Sequence, residues 1–251
     1  MRICQLVAFS AAALAGCGAE HGKLLVSAAA SLQKPLEEIA RSYEQTHLGA
    51  AVAFNFGASG MLAQQIEQGA PVDVFLSAAP QPMDRLEALR LILPGTRRNL
   101  LSNRIVLIVP KNAQKPKGFS DLTDPAVKLL AIGDPGTVPA GDYGRAALQA
   151  LGLWESVKSK LIFAKDVRQV LTYVETGNAE AGIAYSTDAA RSEKVKAVAV
   201  APASSHPPVV YPAAVLQRTK RPAAALAFLA YLSSPPARTV FEREGFLVVA
   251  P

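Results

Sequence analysis

The chain has 251 residues, half of them hydrophobic, and a formal charge of +6 from 26 basic and 20 acidic side chains. That length suffices for one large or two small domains with substantial cores. Small basic groups stand at Arg97-Arg98 and from Arg218 to Arg221, but the remaining lysines and arginines are dispersed and not interleaved with stacking aromatics, so nucleic acid is excluded as a partner. A mildly positive field helps to attract an anion, although a solvated surface balance explains the same charge.

At the N-terminus, Arg2 precedes an apolar stretch from Ile3 to Leu14 and then the small residues Ala15, Gly16, Cys17, Gly18 and Ala19. This is the layout of a secretory signal peptide. A spanning helix needs about 20 apolar residues, so the run is too short for a membrane anchor, and no later segment approaches one. Leu14-Ala15-Gly16-Cys17 resembles the lipobox of bacterial lipoproteins, in which cleavage precedes the cysteine and its thiol carries diacylglycerol. The expectation is a signal at 1–16, a lipidated Cys17 with a tether over 17–22, and a protein held on the membrane in the periplasm or at the cell surface. Cleavage after Ala19, releasing a soluble chain, is the competing reading. Cys4 leaves with the signal either way, so no intramolecular disulfide forms in the mature chain.

From Lys23 onward short apolar runs alternate with longer amphipathic ones, the signature of an α/β architecture. Strands are expected over Leu24 to Ala28, Ala51 to Phe56, Val72 to Ser77, Ile105 to Pro110, Leu129 to Ile132, Ala181 to Ala184, Lys196 to Val200 and Val209 to Leu216. A first helix carries Leu36, Ile39, Ala40 and Tyr43 at helical spacing, with Ser31 ahead of it as a cap. A second runs from Gly60 to Gln68 behind Ser59. A third follows Pro139-Ala140-Gly141 and stops near Gly152, and a fourth starts at the N-cap residue Asp166 and ends at Gly177. Two more, from Pro222 to Leu232 and from Pro235 to Glu244, each open with proline, which suits a helix start. Two α/β lobes fit this many strands better than one sheet, although the length alone permits either.

Several of these helices share a feature at their starts. The neighbourhoods Ala28-Ala29-Ala30-Ser31, Gly57-Ala58-Ser59-Gly60 and Pro139-Ala140-Gly141 are built of small residues. Helix N-termini leave backbone N–H groups unpaired and carry partial positive charge, and small side chains let an anion approach them. Taken singly, each is also explained by ordinary capping.

In the segments Val26-Ser27-Ala28-Ala29-Ala30-Ser31-Leu32, Phe56-Gly57-Ala58-Ser59-Gly60-Met61-Leu62-Ala63 and Gly69-Ala70-Pro71-Val72-Asp73-Val74-Phe75-Leu76-Ser77-Ala78 the chain resembles the molybdate-binding proteins of ABC transporters. The likeness continues through Gly133-Asp134-Pro135, Val138 to Gly141, Asp166-Val167-Arg168, Gly182-Ile183-Ala184-Tyr185 and Tyr211-Pro212. It implies a two-lobed periplasmic-binding-protein fold of type II, with lobe I formed by 23–101 plus 212–251, lobe II by 102–211, and the ligand in the interlobe cleft. It further implies that Ser31 and Ser59 donate hydroxyl and backbone N–H bonds, that Ala140 and Val167 donate backbone N–H bonds, and that Tyr185 donates its phenol. Molybdate or tungstate is then held through its oxygens, with no direct protein–metal ligand, no cofactor and no catalytic residue. The partners implied are the membrane permease of an ABC importer and, through the lipid, the membrane; the protein is expected to be a monomer. Ala58 and Ser27 depart from the family pattern without removing an expected contact.

A fully deprotonated oxyanion offers only acceptors, and the expected site offers only donors. Phosphate keeps a proton at neutral pH and wants an acceptor in return; sulfate must instead be rejected by cavity size, and a sulfate-binding protein is the nearest alternative. A serine hydrolase is the alternative from another class. Gly57-Ala58-Ser59-Gly60 lacks the last glycine of a nucleophile elbow, where Met61 stands, and His21, His47 and His206 fall in the tether or in loops. Metal-ligand spacings are absent. Arg168 invites a direct charge role, but it points off the face that carries Val167. Asp73 and Asp134 are expected to be structural.

Overall fold

The computed structural model describes residues 22–249, so the expected signal, Cys17 and most of the tether lie outside the described residues. The chain first lays down β1 (Leu24–Ala29), α1 (Gln33–Thr46), β2 (Val52–Gly57), α2 (Ser59–Glu67), β3 (Val74–Leu76), α3 (Pro80–Ala88) and β4 (Arg98–Asn103). It then crosses into β5 (Ile105–Pro110), β6 (Leu130–Gly133), α4 (Pro139–Ala150), α5 (Trp154–Val157), β7 (Leu161–Ala164), α6 (Val167–Glu175), β8 (Ala181–Tyr185), α7 (Ser186–Ala190) and β9 (Val195–Val200). It returns through β10 (Val209–Val215), α8 (Pro222–Tyr231), α9 (Pro235–Arg243) and β11 (Leu247–Val248).

These strands form two sheets, ordered β11-β4-β10-β3-β1-β2 and β7-β6-β8-β5-β9, one to a lobe. In each, a parallel trio has its first strand in the middle, flanked by the second and third, and an antiparallel strand follows the third. Parallel strands covered on both faces read as continuous apolar runs, as in β3, β6 and β8, all buried along their length. The crossings lie at Arg104 and over 201–208. They do not lie at the expected cuts of 101/102 and 211/212, because β4 and β10 pair from Asn103 with Val209 onward and both cuts fall inside that ladder.

Helix α1 buries Leu36, Ile39, Ala40 and Tyr43, the stripe its spacing predicts. Tyr43 meets the rings of Phe228 and Tyr231 edge-on at 5.2 and 5.1 Å, which joins α1 to α8. On the sheet's other side Leu62, Ile66, Phe75, Met83 and Leu86 form a separate apolar cluster under α2 and α3. Full burial of each such side chain contributes about 1.5–3 kcal/mol. Asp73 is structural, as expected: it accepts the Leu25 N–H at 2.8 Å and the Thr219 hydroxyl at 2.5 Å, tying the start of β3 to β1 and to the loop after β10.

Six elements escape a reading by pattern: β4, β7, β11, α3, α5 and α7. Strand β4 reads Arg-Asn-Leu-Leu-Ser-Asn and owes its conformation to pairing with β10 and β11, and β7 is a four-residue edge strand. Helices α5 and α7 are barely more than a turn. Tertiary pairing outweighs local propensity in elements this short.

Candidate functional site

In open α/β sheets ligands sit beyond the carboxyl ends of the parallel strands. Both lobes turn those ends toward one interlobe cavity. Ala30 and Ser31 follow β1, Ser59 follows β2 and Ala78 follows β3; across from them stand Ala140 after β6, Val167 after β7 and Tyr185 at the end of β8. All five expected positions, Ser31, Ser59, Ala140, Val167 and Tyr185, line this cavity.

Ser31 lies in a single 3-10 turn, Ala30–Leu32, that leads into α1. It does not cap the helix as expected; its hydroxyl instead lies 3.2 Å from the phenol oxygen of Tyr211. Ser59 is the first residue of α2 and makes no side-chain cap either, because its Oγ accepts the Ala78 N–H at 3.0 Å. Both serines are buried, and each keeps a lone pair or proton for a further partner. Ala140 follows Pro139 in the first turn of α4, and Val167 opens α6. Asp166 caps α6 as expected, its Oδ1 accepting the Gln169 N–H at 2.9 Å. Tyr185 is buried, and its hydroxyl lies 3.5 Å from the Ala78 carbonyl oxygen of the opposite lobe. Burial, the largest cause, holds this phenol well above 10, so it retains its proton and acts as a donor.

The cavity is small and is lined by residues of both lobes. No lysine or arginine is among its lining residues; Asp166 is, with its Oδ1 engaged in capping α6. Arg168 does not face the cavity; its guanidinium donates to the side-chain oxygen of Gln33 across the cleft. Asp134 accepts the Thr137 hydroxyl at 3.3 Å within its own turn.

A layer behind the site was not read from the sequence. The phenol of Tyr211, beside Ser31, also receives the Asn103 amide at 3.4 Å. Asn103 donates to Thr187 at 3.0 Å and accepts from Ser186 at 2.9 Å, and the Tyr185 and Tyr211 rings lie 5.7 Å apart. Tyr211-Pro212 falls in a segment that carries the family likeness, the one signal that pointed to it.

The lobes meet closely at Gly60, whose N–H donates to the Thr137 carbonyl at 3.0 Å. A Cβ here would lie 2.7 Å from that oxygen and 2.9 Å from the Thr137 Cα. Below the cleft Asp188 is buried with one carboxylate oxygen lacking a partner. Burial pushes its pKa from the ordinary 3.8 up to about 6, against the opposing pull of Arg191.

Two outcomes follow from these contacts. Gly60→Ala gains helix propensity worth about 1 kcal/mol while obstructing closure, so the lobes should move apart with no loss of thermal stability. Energy transfer between dyes on Leu89→Cys and Leu151→Cys, exposed positions on opposite lobes, reads the separation; an unchanged distance would show that this pair does not limit closure. For Asp188 the folded pKa exceeds the unfolded one, so the unfolded chain binds fewer protons and stability falls as pH rises from about 4 to 6. Asp188→Asn should therefore gain on the parent through that window, by on the order of 2–3 kcal/mol; parallel thermal-unfolding curves would refute this.

Comparison with known proteins bears on the same region. Residues 24–247 match the family described as bacterial extracellular solute-binding protein. The chain is 44% identical over 242 residues, 93% of this chain and 92% of the relative, to YvgL of Bacillus subtilis (strain 168), whose name gives it as a candidate ABC transporter substrate-binding lipoprotein. It is 41% identical over 235 residues, 92% of this chain and 91% of the relative, to the molybdate-binding protein ModA of Escherichia coli (strain K12). The solved periplasmic molybdate-binding protein of Azotobacter vinelandii superposes with a TM-score of 0.81 at 26% identity, covering 91% of this chain and all of that one. A sulfate-binding protein of Mycobacterium tuberculosis, SubI, shares the fold at 16% identity with a TM-score of 0.76 over 91% of this chain and 88% of its own. With its two lobes, interlobe cavity and end-to-end match, the chain belongs to the bacterial extracellular solute-binding protein family.

Proposed function

We propose that this protein is an extracytoplasmic binding protein that captures molybdate, or tungstate, and delivers it to the membrane permease of an ABC importer. The observation that carries this reading is the convergence of Ser31, Ser59, Ala140, Val167 and Tyr185, from both lobes, on one small cavity. Helix starts supply backbone N–H groups, the serines supply hydroxyls and Tyr185 supplies a protonated phenol. The anion is bound through its oxygens, so neither a cofactor nor a direct protein–metal ligand is required. Relatives named as molybdate-binding support the choice of anion.

The energetics suit a compact dianion. Hydrogen bonds to a charged group contribute about 1.5–3 kcal/mol each, and helix ends add about 0.3–1 kcal/mol. Desolvation and the cost of association oppose them. At a ceiling of about 1.5 kcal/mol per heavy atom, five atoms reach about −7.5 kcal/mol, near micromolar. Tighter binding must come from closure around preorganised donors.

A catalytic role has little support. His47 stacks on Tyr43 at 4.0 Å and His206 lies 5.7 Å from the Tyr143 ring; neither lines the cavity that holds Ser59, so no imidazole stands ready as a base among the described residues. The protein acts as an exported monomer tethered by diacylglycerol on Cys17. In support, no helix among the described residues is long and apolar enough to cross a membrane, and the relative YvgL carries a lipoprotein name.

Isothermal titration of ligand-free protein with molybdate, tungstate, sulfate and phosphate tests the function. Molybdate or tungstate should bind at least about tenfold more tightly than sulfate or phosphate, a difference of about 1.4 kcal/mol. Equal sulfate binding would move the protein to the sulfate class, and heat from none of the four would end the oxyanion reading. Ser31→Ala with Ser59→Ala should weaken molybdate binding by at least about tenfold with the fold retained by circular dichroism. Mass spectrometry of protein extracted from membranes should find the mature chain starting at a diacylated Cys17; an unmodified start at Glu20 would refute the anchor.

A further inference from the structure

Two arginines of the second lobe reach across the cleft to neighbouring residues of the first, Ser31 in the turn before α1 and Gln33 at the start of α1. Arg191 follows α7, and its Nη2 donates to the Ser31 carbonyl oxygen at 2.8 Å. Its Nε donates to the Thr187 carbonyl oxygen at 3.0 Å, which fixes the guanidinium to its own helix. The side chain is only 18% exposed. It lies 5.9 Å from the centre of the Phe246 ring, 3.8 Å from the Asp188 carboxylate and 3.7 Å from that of Glu244. Asp188 and Glu244 each leave one buried carboxylate oxygen without a hydrogen-bond partner, so the guanidinium sits in a socket of negative charge formed by both lobes.

Arg168 repeats the reach from α6. It donates to the Gln33 side-chain oxygen, and the Gln33 amide nitrogen donates to Glu37 at 2.8 Å, which turns that oxygen toward Arg168. The turn held from both sides carries Ser31, whose hydroxyl lines the anion cavity. Thr187 and Asp188 share the second lobe with Arg191, whereas Ser31, Glu244 and Phe246 belong to the first, so a parting of the lobes would draw the guanidinium away from these three. Interactions made in only one of two states shift the balance toward that state.

We propose that Arg191, assisted by Arg168, is the latch of the closed cleft: a positioning residue that grips the Ser31 turn from the opposite lobe and so sets the rate of anion release. Its effect on release rests on the oxyanion reading above; its effect on closure does not.

The test uses the mature chain and the variants Arg191→Met, Arg191→Lys and Arg168→Met. Molybdate is the probe, its affinity read by titration and its release by chase with excess unlabelled anion. Arg191→Met should release molybdate at least about tenfold faster with little change in the association rate, because affinity differences within one site reside mainly in dissociation. Arg191→Lys should recover part of the loss, and Arg168→Met should show a smaller effect. Small-angle scattering of the ligand-free proteins should give a larger radius of gyration for Arg191→Met than for the parent. Circular dichroism should stay unchanged, and Arg191→Lys, which keeps the positive charge beside Asp188 and Glu244, separates a lost latch from a damaged fold. Equal release rates and equal scattering would overturn the proposal. If the parent binds no oxyanion, the function falls, and the scattering comparison alone decides the latch.

Discussion

Backbone N–H groups at a helix start have no partner within their own helix, and burying several of them in one small space is unfavourable until an acceptor satisfies them. The arrangement of both lobes follows from this constraint. Each parallel strand delivers the chain to the cleft, a small residue turns it, and a helix begins there: Ser59 after β2, Ala140 after β6, Val167 after β7. Because both sheets use the same strand plan, the two sets of helix starts confront each other. The partial positive charges of the helix starts gather there with no lysine or arginine among the lining residues.

The same principle accounts for the supporting layer. A serine hydroxyl rotates freely unless something fixes it, and here Tyr211 stands beside Ser31 while the Ala78 amide engages Ser59. Tyr211 is itself held by Asn103 at the end of β4, next to the crossing at Arg104. The donors are thus referenced to the part of the molecule that moves least when two lobes pivot. The contacts across the cleft include several polar ones: Gly60 with Thr137, Tyr185 with Ala78, and the arginines with Ser31 and Gln33. Polar contacts of this kind suit an interface that must both close and open.

What the sequence disclosed follows from the range of the interactions concerned. The helix starts were legible because their cause is local: Ala28-Ala29-Ala30-Ser31 and Pro139-Ala140-Gly141 are small for a backbone reason, and Asp166 caps its own helix. The apolar stripe of α1 and the buried strands were legible for the same reason. Arg191 and Asn103 were not, since each acts on residues distant in the chain and neither sits in a pattern. The serines' side-chain partners were misread because capping is the local alternative, and Tyr211 and the Ala78 amide, both remote in sequence, took its place. Asp166 shows the converse limit: its capping role was plain, its presence on the cavity wall was not.

The route of the chain between sheets also dictates an order of assembly. Residues 105–200 form the whole second sheet, a continuous segment inserted within the first. The first sheet is finished only by β10 and β11, and α8 and α9 complete its cover. As the polypeptide is made from its N-terminus, the inserted lobe has everything it needs well before the lobe that began earlier. The last strands to emerge also bring Tyr211, the neighbour of Ser31, and Glu244 precedes β11 by a few residues. The residues of the capture site and its latch thus emerge before the lobe that must hold half of them is complete, and a chain stalled short of β10 has one finished sheet and no cleft.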